Sequence, residues 1–446
     1  WHPGADQYRK AFFTNFDKPD YPEWLVECDG WATGHAGLWQ YNRTRNYDEV
    51  RKHCWLRAAE LGLTYTQSWG STLYNACYSY YLPRKECGGE RLFAEMNKLW
   101  RDAGGHIGYY FHGNGLSADY IRMDRYFETP WGDYREEVRP PSWDFYARHR
   151  SFTSEEAVRT PEALLAESKE QHKLDMKKRG GVDRAIEHYP SMCQLDPWFL
   201  ETYLTDWTDR YMLDYHCDTI YYDTMAFRAA IQEFNPYLGF HGEGHVAMPR
   251  MKFLRDNIER LRKDVPTFTQ MTEGCGDIWG QTCYFLLSGF SRDEDVLRYT
   301  FPEMILFEGH ANGSWGSNHK RALSKSFAYG NKFDIITRSD FTDAILSMRQ
   351  QLSPWLARAR FLGNLGLEVS SANVLAKGFT FEVNGSHAAL VTVWNKDNAA
   401  DATIAIDPHR YRVRPAAVWQ FELWKDPTRL DLSQLSRGQA LSETPR

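Results

Sequence analysis

The sequence predicts an α/β fold: a (β/α)8 TIM barrel with an inserted loop region after its third strand and a small C-terminal antiparallel β domain. Three observations predict it. A short β-branched or aromatic run followed by an amphipathic stretch recurs through residues 24–361, and such alternation builds a parallel sheet. No G-x-G-x-x-G follows the first run, so an open doubly wound sheet loses support. From about residue 366 strand-like runs succeed one another without helices, the mark of antiparallel pairing.

Trp24–Asp29 reads as the first strand, with a helix over Tyr47–Leu61 that Gly62 stops. Leu63–Ser68 reads as the second strand, followed by a helix over Gly89–Ala103 that ends at Gly104-Gly105. His106–His112 is the third. Residues from about 113 to 160 are rich in Trp, Tyr, Pro and charge, and read as an insertion on the loop side of the barrel. Thr160-Pro161 caps a helix to Arg179, and another runs over Pro197–Tyr215. Asp218–Asp223 is the fourth strand, Met248–Lys263 a helix and Thr267–Glu273 the fifth strand. Cys283–Leu287 and Met304–Phe307 are the sixth and seventh. A helix over His319–Tyr329, the eighth strand at Phe333–Thr337 and a closing helix over Asp340–Phe361 complete the barrel. Phe379–Val383, Ala388–Asn395, Thr403–Ile406 and Ala417–Leu423 then alternate as strands. The domains expected are a barrel over 1–365, a β domain over 366–425 and a tail over 426–446.

Composition narrows the function. The 446 residues hold 53 Lys+Arg against 59 Asp+Glu, a net charge of −6, without the basic excess of a nucleic-acid binder. No window approaches the ~18 uncharged apolar residues of a membrane span, and mean hydropathy is −0.61. The chain begins Trp1-His2-Pro3-Gly4, which reads as a processed or excised product. Its 8 Cys form no C-x-x-C pair, which argues against zinc-ribbon and thioredoxin chemistry and for scattered thiols. Aromatic residues make up 15%, with 17 Trp. Sugars present flat C–H faces to rings, so a Trp-rich cleft suits carbohydrate, although most rings belong to a core.

In a (β/α)8 barrel the reacting groups sit at the C-terminal ends of strands. That rule selects Asp29, Asp223, Glu273 and Glu308 from the acids, because an acid within an apolar run loses hydration without purpose unless it acts. Asp223 and Glu273 close the fourth and fifth strands, 50 residues apart, and Thr224 and Gly274 then let the chain turn. Neighbouring strand ends bring two carboxylates to the ~5–5.5 Å of double-displacement glycoside hydrolysis. One is then an ionised nucleophile, the other an acid kept protonated by its surroundings. Asp29-Gly30-Trp31, Trp69 after the second strand and His112 after the third are expected at the mouth as substrate contacts, with Tyr222 outside the barrel. His241 and His245 suit hydroxyl binding and lack a third ligand for metal, so no metal or other cofactor is expected. Trp279 and Trp315 are stacking candidates, and Asp277 and Glu308 further polar contacts.

The order Asp218-Thr219-Ile220-Tyr221-Tyr222-Asp223-Thr224-Met225, His241-Gly242-Glu243-Gly244-His245 and Met271-Thr272-Glu273-Gly274 resembles a bacterial glycoside-hydrolase-like barrel family of largely unassigned activity. It is distantly similar to the endo-α-N-acetylgalactosaminidase barrels over roughly residues 20–365. The resemblance implies a retaining α-glycosidase for a galactose-type or N-acetylgalactosamine-type sugar, with Asp223 as nucleophile and Glu273 as acid/base. One departure is Cys275-Gly276-Asp277, where that family has an Asn and another acid. The partner expected is an oligo- or polysaccharide, for which a secreted or periplasmic location is suited. Two alternatives stand: a β-glycosidase using Asp223 and Glu308, and a carbohydrate-binding barrel without catalysis.

Overall fold

A computed structural model describes residues 1–33, 55–68, 81–83, 88–113, 148–160, 163–164, 166–167, 193, 195–226, 232–242, 247–286, 294–308, 319–335, 338–383, 385–396 and 403–412. In chain order these hold α1 (His2–Asn15), α2 (Glu23–Glu27), β1 (Gly30–Thr33), α3 (Arg57–Glu60), β2 (Tyr65–Ser68), α4 (Gly89–Asp102) and β3 (His106–His112). Next comes α5 (Thr205–Asp209), flanked by π-helical stretches at Trp198–Leu204 and Arg210–Asp214. β4 (Thr219–Asp223), α6 (Ala247–Leu261), β5 (Thr269–Glu273), β6 (Tyr284–Leu286), α7 (Glu294–Thr300), β7 (Leu306–Glu308), α8 (His319–Tyr329), β8 (Lys332–Ile335) and α9 (Asp340–Leu356) follow. β1 to β8 pair in sequence order, all parallel, and β8 closes on β1 through Trp31 opposite Asp334.

Alternation along each strand sorts its side chains. Trp31, Tyr65, Tyr221, Met271, Tyr284 and Phe307 fill the barrel interior. Ile107, Tyr109, Phe111, Ile220, Tyr222, Phe285 and Leu306 face the surrounding helices. The interior is polar as well as aromatic: the Tyr65 and Tyr284 hydroxyls meet at 2.6 Å, and Thr219 lies 3.1 Å from Tyr284. At the bottom, buried Asp218 accepts from the Ile107 amide at 3.2 Å and from Thr267 Oγ1 at 2.6 Å. One carboxylate thereby ties the roots of β3 and β5 to β4.

The β5–β6 connection carries only one 3-10 turn, Trp279–Gln281. The N-terminal segment covers that gap. Phe12 joins the core cluster of Trp279 and Phe301, and Tyr21 donates to the Gly280 and Cys283 carbonyls.

The first strand departs from expectation. Trp24–Glu27 lie in α2, and β1 starts only at Gly30. A short apolar run such as Trp24-Leu25-Val26 reads equally as buried strand or helix. Here Pro22 precedes the helix and Glu23 occupies its first turn, both helix-start signals. Gly30 is where the chain needs no side chain, since a Cβ there would meet the Phe333 carbonyl oxygen at 2.4 Å.

Beyond α9 an antiparallel sheet begins at Arg360: β9 (Arg360–Gly363), β11 (Val374–Val383) and β12 (Ser386–Asn395) form three strands, β10 (Leu367–Val369) and β13 (Ile404–Ile406) a pair, and α10 is Pro408–Tyr411. The predicted closing helix therefore stops five residues early, at Leu356. This sheet docks on the barrel helices. Phe361, Phe379 and Tyr411 pack with Tyr299 and Tyr329, and Lys377 pairs with Asp295 at 2.5 Å. Most of the expected insertion, the expected strand Ala417–Leu423 and the tail lie outside the described residues. The five described cysteines, Cys28, Cys193, Cys217, Cys275 and Cys283, are free, and no described helix is long and apolar enough to cross a membrane.

Candidate active site

β3, β4 and β5 bring His112, Asp223 and Glu273 to one level. His112 stands opposite Asp223 in register. Tyr222 stands opposite Thr272, so Asp223 and Glu273, one residue further, end side by side at the ~4.8 Å spacing of neighbouring strands. Their faces are shared with Tyr110, Tyr221 and Met271 of the interior, so both carboxylates point to the barrel mouth. Tyr222, between them in sequence, faces out as expected: Thr208 Oγ1 lies 2.6 Å from its hydroxyl, and Asn257 donates to it.

Two hydroxyls hold Asp223. Tyr110 donates to Oδ2 at 2.5 Å and Tyr221 to Oδ1 at 2.9 Å. Tyr221 is 1% exposed, and burial first, then the charges of Asp223 and Glu273, hold its phenol well above its ordinary range. Asp334 on β8 adds a third carboxylate to that environment. It is fully buried and accepts from the Trp31 indole at 2.6 Å.

The turn after each carboxylate is fixed. Thr224 has φ +57° and Gly274 φ +78°. For a β-branched residue the left-handed region is strained, a cost of order 1–3 kcal/mol that surrounding structure must hold. Here Gly113 N–H donates to the Asp223 carbonyl at 2.9 Å, Ala226 N–H to Thr272 Oγ1 at 3.1 Å, and Arg250 to the Met225 carbonyl. A Cβ on Gly113 would stand 2.8 Å from the Asp223 carbonyl oxygen and 2.9 Å from Met225 Cβ. Gly113→Ala is therefore expected to push Asp223 off its tyrosine partners and lower the melting temperature by a few degrees, about 1–3 kcal/mol of overpacking. Calorimetry checks the stability, and an unchanged melting temperature contradicts it.

Several expected contacts lie elsewhere. Asp29 sits at the N-terminal end of β1, the opposite end from the mouth, beside Arg349 at 3.3 Å. The shift of β1 put it there. Trp31 is fully buried inside the barrel, stacked on Phe307 at 4.0 Å, so its ring is floor rather than a stacking face for sugar. Trp279 is 2% exposed within the outer core, so neither of its faces is open to a ligand. Glu308 ends β7 but, one residue past inward-facing Phe307, points to the helices. Lys325 on α8 donates to it at 3.1 Å and Asn331 at 3.3 Å. Asp277 has both oxygens engaged, by Tyr8 of α1 and by the Ile278 amide at 2.8 Å; this bond pushes the Tyr8 phenol up to about 12. His241 is exposed in a segment joined to the chain after β3, where Asn235 donates to the Arg148 and Arg150 carbonyls. Trp69, His245 and Trp315 lie outside the described residues. Among the described residues no cluster of His, Cys, Asp and Glu suits a metal ion.

Sequence reasoning passed over Tyr110, Tyr221 and Asp334. The signal was present for the first two: residues two before a strand-end group share its face. For Asp334 the signal was an acid inside Phe333-Asp334-Ile335.

The eight parallel strands close a (β/α)8 barrel, a fold that solved structures share. Among the solved structures that share its fold are those of two proteins. A cyclomaltodextrinase matches with a TM-score of 0.50 at 11% identity, over 84% of this chain and 70% of that one. The ligand-free α-N-acetylgalactosaminidase NagBb from Bifidobacterium bifidum matches with a TM-score of 0.53 at 9% identity, over 88% of this chain. Its complex with GalNAc gives the same score at 8% identity. The chain spans 62% of the length of ligand-free NagBb. At these identities the likeness is one of fold. No family model and no curated protein matches the sequence.

Proposed function

We propose that the protein is a retaining glycoside hydrolase, acting on α-linked galactose-type or N-acetylgalactosamine-type residues of an oligo- or polysaccharide. The observation that carries this reading is the pairing of Asp223 and Glu273 at adjacent strand ends, both facing the mouth. Adjacent strands bring two carboxylates to the separation of retaining enzymes, whereas inverting ones leave room for a water between them. The sugar type rests on the resemblance of the three motifs and on the fold shared with NagBb.

In the first step an oxygen of Asp223 bonds to the anomeric carbon while the glycosidic bond breaks. Glu273 gives its proton to the departing oxygen. In the second step Glu273 takes a proton from water. The water oxygen bonds to the same carbon, and Asp223 leaves as carboxylate. Glu308 takes no part, because it faces the helices.

A panel of α- and β-nitrophenyl glycosides and natural polysaccharides, run beside Asp223→Asn, tests the reading. The expected result is release from an α-glycoside by the wild type alone, with proton NMR showing the first-formed sugar in the α configuration. An inverted product, or turnover kept by Asp223→Asn, overturns it. Tight glycan binding in calorimetry with no sugar released by any substrate favours the binding barrel instead.

A further inference from the structure

Tyr110 and Tyr221 stand opposite each other in register on β3 and β4, one layer beneath Asp223, with ring centroids 5.4 Å apart and planes at 77°. Their hydroxyls reach different oxygens of one carboxylate. We propose that Tyr110 and Tyr221 form a two-point clamp on Asp223, positioning residues that set its orientation and assist its departure from the glycosyl-enzyme. The inference rests on the nucleophile reading above. It goes beyond that reading by naming the groups that govern the second step.

The physical case has two parts. A carboxylate with a donor on each oxygen cannot turn about its Cβ–Cγ bond without losing both bonds, and bonds to a charged acceptor are about twice as strong as neutral ones. The clamp is also charge-selective. While Asp223 is an ester of the sugar it is neutral, and both bonds weaken. When water displaces it, negative charge returns to the two oxygens that the hydroxyls already face. Donors aimed at developing charge accelerate the step in which it develops. The Tyr221 donor stays protonated, because burial keeps its phenol from ionising.

The clamp therefore predicts slow release of the sugar from the enzyme when a hydroxyl is lost. With the nitrophenyl glycoside that the panel identifies, Tyr110→Phe and Tyr221→Phe are each expected to lower kcat by about 10- to 100-fold, the worth of one charge-assisted bond. KM should fall with it, and a burst of nitrophenol should precede the steady state, because the intermediate accumulates. A merely structural loss lowers the active fraction and leaves KM unmoved, with no burst. Labelling with [4-13C]aspartate supplies a readout that needs no substrate. The resonance absent in Asp223→Asn should move in each Phe variant at neutral pH, and further in the double variant. An Asp223 resonance unmoved in both overturns the clamp, whatever the panel yields. If Asp223→Asn loses turnover but both Phe variants keep kcat, KM and a linear time course, the clamp falls and the nucleophile stands. If Asp223→Asn keeps turnover, the nucleophile reading itself falls.

Discussion

Alanine at Asp223 is expected to remove turnover by several orders of magnitude in a protein that still folds, and alanine at Glu273 to behave differently in a diagnostic way. Without Asp223 there is no atom to form the glycosyl-enzyme, so no leaving group rescues the first step. Without Glu273 the loss is that of general acid and base assistance, about 10²–10⁴-fold. It should depend on the aglycone. A dinitrophenolate leaves without a proton, so the first step with such a glycoside should stay near the wild-type rate. Azide, which needs no deprotonation, should then restore the second step and yield a glycosyl azide. In Asp223→Ala any glycosyl azide should instead carry the inverted configuration, because azide then displaces the aglycone in a single step. The folded state is checked by thermal unfolding: Asp223 closes a strand whose body, Thr219–Tyr222, is buried and keeps its packing without the carboxylate. Equal loss with every aglycone in Glu273→Ala would remove it from the acid/base role.

Glutamine at Glu308 is expected to flatten the pH dependence of stability. Glu308 and Glu294 are 5% and 3% exposed, and both lean on one cation, Lys325, at 3.1 and 2.7 Å. Burial, and then the charge of Glu294, push the Glu308 carboxyl up to about 7. The folded protein thus holds this proton to higher pH than the unfolded chain, where an ordinary glutamate releases it near 4.5. Protonated Glu308 costs nothing below pH ~4.5, and the cost of its charge grows until pH ~7, to roughly 3 kcal/mol. Glutamine keeps the shape and an acceptor for Lys325 and Asn331, and it leaves Lys325 to Glu294. At about pH 5 the two proteins should melt alike. At about pH 8 the variant should melt several degrees higher. Parallel melting curves across that interval would show that the Glu308 charge is already compensated.

The legibility of this chain followed the scale of each signal. Long periodic segments were readable: the helix expected at His319–Tyr329 is α8 residue for residue, and His106–His112 is β3. The fourth and fifth strands end where expected, at Asp223 and Glu273. Short apolar runs were not readable in the same way. Trp24–Glu27 became a helix, which carried Asp29 to the far end of the barrel and Trp31 into its interior. Trp279 lies just past β5, as a stacking ring would, but the N-terminal Phe12 joins the same core. That contact joins residues far apart in sequence, and no local pattern announces it. Glu308 shows the parity problem: the seventh strand was located one residue from its true end, and with period-2 alternation one residue exchanges mouth for helix face.

By itself the amino-acid order determined the alternation of strands and helices, and hence the parallel barrel, the change to antiparallel pairing near its end, and two acids at successive strand ends. These are set by local periodicity and by the turn residues that follow, which act within a few residues. Only the tertiary structure decided which of four strand-end acids face the mouth, that Tyr110 and Tyr221 converge on Asp223, and that Asp334 closes against Trp31 where the last strand meets the first. Each of these depends on register between strands tens to hundreds of residues apart. Closure of the barrel fixes that register, because every inward side chain must share one interior.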